Sequence, residues 1–164
     1  LAVGFITTER ARAIVTQYPE VTGSIVGWIR EAATSRDWRR VETLANLAAP
    51  LRAPGLGEAL RDLLDANIAQ LNNEDMVDIL GEIRAVESGN SLFRLVERSV
   101  ESDSPAYWLC QKAILSLSEL DTDEANGYLH AMTATPWPRS IRWHAAVALG
   151  IEDELGFDEN QMLS

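Results

Sequence analysis

An all-α fold, an α-α superhelix of stacked antiparallel helix pairs, is what this sequence predicts, and three observations predict it. Apolar residues recur at three- and four-residue steps through most of the chain, the spacing that puts them on one helical face. No alternating apolar–polar run is bounded by hairpin dipeptides, so a sheet is not expected. A leucine followed by a small residue returns at Leu47-Ala48, Leu80-Gly81, Leu117-Ser118 and Leu149-Gly150, at intervals of 33, 37 and 32 residues. That period fits a repeating unit of two helices and their connections.

Taken in order, the chain opens with a half-repeat over 8–17, followed by helix pairs over about 22–49, 56–86, 91–120 and 122–152, and an acidic tail over 153–164. In the first pair, Ile25, Val26 and Ile29 share a side, and Ser35-Arg36-Asp37 turns the chain into a helix beginning at Trp38. Pro50–Gly57, with two prolines and two glycines in eight residues, is the clear linker. The next helix, Leu56 to Leu71, carries Leu60, Leu63, Leu64, Ile68 and Leu71, the strongest amphipathic pattern in the chain. Asn72-Asn73 then leads into Glu74–Val86. In the third pair, Leu92, Leu95, Val96 and Val100 face one way, and Ser104-Pro105 is expected to supply the N-cap and first residue of the following helix. Pro136 and Pro138 mark the entry to the last helix. All 164 residues are expected to form one domain, a length at which folding buries roughly 70% of the unfolded surface.

That last helix carries a family signature: Ile141, Arg142, Trp143, His144, Ala145, Ala146, Val147, Ala148, Leu149, Gly150. It resembles the second helix of a HEAT-type repeat, whose usual form is a branched apolar residue, Arg, two variable residues, then alanines ending in Leu-Gly. The other units depart from it. The Arg position holds Asn73 in the second unit and Cys110 in the third, and the first unit lacks Leu-Gly. In that family the second helices usually line a concave binding side. The resemblance therefore implies that Arg39, Asp75, Asp78, Glu82, Gln111, Arg142 and Trp143 lie near such a surface. Trp137, in a Pro-Trp-Pro turn, is the tryptophan expected to be exposed and to anchor a partner, while Trp28, Trp38 and Trp108 are expected in the core.

Charge narrows the partner. The chain has 14 basic and 25 acidic residues, net −11, with residues 87–164 alone at −8. A nucleic-acid partner would need clustered Lys and Arg, so none is expected. The longest apolar run, Ile25 to Ile29, is far short of the roughly 20 residues of a membrane span. With no visible signal peptide a cytoplasmic location is expected; Leu1 in place of Met is taken as a trimmed start.

Chemistry is sparse. Cys110 is the single cysteine and His130 and His144 the only histidines, so neither a disulfide nor a cysteine-based zinc site is expected. No nucleophile elbow, P-loop or calcium loop occurs. The expectation is a non-catalytic scaffold, bacterial in character, that binds a protein with a basic surface and uses no metal or cofactor. An acidic inhibitor or immunity-type protein is its sharper form. The competing expectation is an enzyme or small-molecule binder with an interhelical pocket around His130 and His144.

Overall fold

Short polar side chains start four of the described helices. Thr7 Oγ1 accepts from Arg10 N ahead of α1 (Thr8–Gln17), at 3.2 Å. Asp37 Oδ1 accepts from Arg40 N ahead of α3 (Trp38–Leu51), at 3.1 Å. Asn72 Oδ1 takes the amides of Glu74 and Asp75 at the head of α5 (Asn73–Glu82). Thr122 Oγ1 does the same for Ala125 at α8 (Asp123–Met132). Each cap satisfies an amide that the first helical turn leaves without a partner. The remaining helices are α2 (Val21–Thr34), α4 (Leu56–Asp65), α6 (Gly89–Ser99), α7 (Trp108–Leu120) and α9 (Arg139–Leu149), with a short 3-10 helix at Val86–Ser88. These come from a computed structural model, which describes residues 7–158; among the described residues there is no strand. Of the expected tail over 153–164, residues 159–164 lie outside the described part.

The protein is all-helical, and its pairs recur regularly. The first helices of successive pairs start at Val21, Leu56, Gly89 and Asp123, and the second helices at Trp38, Asn73, Trp108 and Arg139. The chain divides into two compact units, residues up to 85 and residues from 86 onward. In the first unit, α2 packs on α3 and α4 on α5, the first helices α2 and α4 touch each other, and so do the second helices α3 and α5. Helix α1 lies against α2 and α3. The second unit repeats the order: α6 packs on α7, α8 on α9, α6 on α8, and α7 on α9.

The buried faces follow the helical period. In α2 they are Val21, Ile25, Val26, Ile29 and Ala32; in α4, Leu56, Ala59, Leu60 and Leu64. Small residues set close approaches in α3, where Val41, Ala45, Ala48 and Ala49 are buried, and in α9, where Ile141, Ala145 and Ala146 are. At about 1.5–3 kcal/mol for each large side chain taken out of water, these faces offset the entropy of ordering the chain. Leu80 and Leu117 are fully buried, but Leu47 and Leu149 are only half-buried. The four leucines are thus not equivalent, and in α3 and α9 alanines take the inner position.

Three local expectations are corrected. Helix α3 runs through Pro50 to Leu51, because a proline so close to the end forfeits a single backbone hydrogen bond. Helix α4 stops at Asp65 rather than Leu71: Asn67 adopts a left-handed φ of 51°, which asparagine tolerates, and Leu71 is buried from the loop instead. Ser104-Pro105 does not start α7. Asp103 Oδ2 accepts from Cys110 N at 2.9 Å, so the cap comes from Asp103 and the helix begins at Trp108. Around Gly27 there is open space, since a Cβ there would meet nothing within 4 Å. Gly57 is the glycine at a close approach: its Cβ would lie 2.9 Å from Ala85 Cβ.

Candidate functional site

Helix α5 brings three of the expected site residues together. Asp75, Asp78 and Glu82 are spaced by three and four residues, so they share one face, and that face opens on a groove of about 200 Å³. Asn46 on α3 and Thr7 and Thr8 at the head of α1 form the other wall. None of the described residues lining it is Lys or Arg. The start of α5 is fixed by Asn72, whose amide donates to Glu42 Oε1 on α3 at 2.9 Å while its side chain caps the helix. Chemically, the groove offers carboxylates and neutral polar groups suited to ammonium or guanidinium groups.

Arg39 stands apart from this groove, exposed in the first turn of α3. Gln111, Trp137, Arg142 and Trp143 all belong to the second unit. Arg142 is engaged internally: its Nε donates to Thr133 O at 2.9 Å, pinning the α8–α9 turn, and its guanidinium lies 5.8 Å from the Phe157 ring centroid. Trp143 is half-buried, with its ring tilted against His144 at 4.7 Å. Trp137 is also half-buried, set edge-on to Phe93, which in turn stacks on Tyr128 at 4.6 Å. The exposed tryptophan is Trp108, at 64%, and not Trp137. The sequence places Trp108 at the first position of α7, outside the face formed by Cys110, Ala113, Ile114 and Leu117.

Trp108 belongs to a second groove, of about 360 Å³, between α7 and α9. Its walls are Trp108, Gln111, Lys112 and Leu115 on one helix and His144, Val147 and Ala148 on the other. Leu115 is 57% exposed and Val147 44%, although both are large and apolar. Of its lining, the sequence singles out as site residues only Gln111 and, in the competing pocket reading, His144. The available signal was a second apolar row on α7, Trp108 and Leu115 two turns apart and off the core face.

His144 lines this groove and His130 does not; His130 is exposed on α8. Burial lowers the pKa of His144 below the usual histidine value of 6.5. Cys110 is buried, and burial first, then the hydrogen bond and charge of Asp103, push its thiol up to about 12. Among the described residues no three His, Cys, Asp or Glu side chains are grouped to hold a metal ion. No described helix is long and apolar enough to cross a membrane. No protein-family model, curated protein or solved structure matches this chain.

Proposed function

We propose that this chain is a short α-solenoid, similar to HEAT-type repeats, whose second helices bind a protein partner carrying a basic surface. The observation that carries the reading is the acidic row Asp75, Asp78 and Glu82, three carboxylates on one face of a second helix that opens on a groove. Regular pair starts and the packing of first helices on first and second on second support the repeat architecture. The net charge of −11 supports the sign of the partner. In this role the protein is a cytoplasmic binding module, and covering a basic active site on another protein is its most specific form.

Opposite charge chiefly accelerates encounter and selects the partner. The test is therefore kinetic. A partner recovered by affinity capture should associate more slowly as salt rises, because screening shortens from about 10 Å at 0.1 M to about 3 Å at 1 M. Asp75→Lys with Glu82→Lys should slow association further while leaving the helix content intact. A partner that is itself acidic, or one indifferent to both salt and charge reversal, overturns the reading.

A further inference from the structure

We draw no further inference here: the strongest candidate, the groove of about 360 Å³ between α7 and α9 walled by Trp108, Leu115 and Val147, is an open apolar face, and nothing in the structure shows what covers it.

Discussion

Glycine positions give the sharpest residue-scale forecasts, because backbone propensity and packing oppose each other there. Gly27 is exposed in the middle of α2 with open space around it, so Gly27→Ala should stabilise the protein by up to about 1 kcal/mol. Gly57→Ala gains the same propensity but drives a Cβ to 2.9 Å from that of Ala85, which is fixed to backbone and cannot swing away. Overpacking of that kind costs about 1–3 kcal/mol, so the packing term should win and the variant should melt earlier. Leucines divide the same way: Leu80→Ala should cost about 2–5 kcal/mol, and Leu149→Ala, at a half-buried site, about 1. Urea titrations of the four variants check both comparisons. The sequence alone puts all four leucines in one class, since spacing reports a face and not how deeply each helix is set. The close contact at Gly57 is not legible in the sequence either, because the clash with Ala85 depends on how α4 returns against the 83–85 segment.

Helices were legible where cap chemistry and periodicity agree. Helix α1 matches the expected 8–17, and α3 starts at Trp38 behind Asp37 as read. The end of α4 was not legible, because the apolar spacing continues through Ile68 and Leu71 while the left-handed Asn67 breaks the helix ahead of both. The start of α7 was hidden because its cap, Asp103, lies seven residues before the amide it receives. Asp103→Ala should therefore cost about 0.5–2 kcal/mol, the range for losing a helix cap. The same change removes two of the influences that push the Cys110 thiol up, leaving burial as the first. In the native protein Cys110 should resist alkylation at pH 8, with modification following global unfolding; prompt labelling of the folded chain would contradict its placement. The pH response of α9 has a definite sign. The pKa of His144 is lowered on folding, so the unfolded chain binds the extra proton first. The stability it contributes is present above about pH 6.5 and is lost as pH falls through the folded pKa. Thermal melts from pH 7.5 to 5 should fall more steeply for the native chain than for His144→Gln.

Across the whole molecule, the sequence carried the all-helical class and the placing of Asp75, Asp78 and Glu82 on one helix, since these rest on local spacing and composition. Apart from His144 and Gln111, it left the lining of the α7–α9 groove unseen, because Trp108 and Leu115 look like core until the facing walls of α7 and α9 are placed beside each other. Function is likewise a property of surfaces that composition only biases. The acidic row should act mainly on encounter: Asp75→Lys with Glu82→Lys should lower the association rate with the basic partner about tenfold at low salt, the lower end of electrostatic steering, and stopped-flow mixing measures it. The central claim, that second helices form the binding surface, is tested most directly by hydrogen exchange of the chain free and bound to its partner. The account predicts slowed exchange along α5 and the facing part of α3, with α2 and α4 unchanged. Protection confined to α2 and α4 would contradict it.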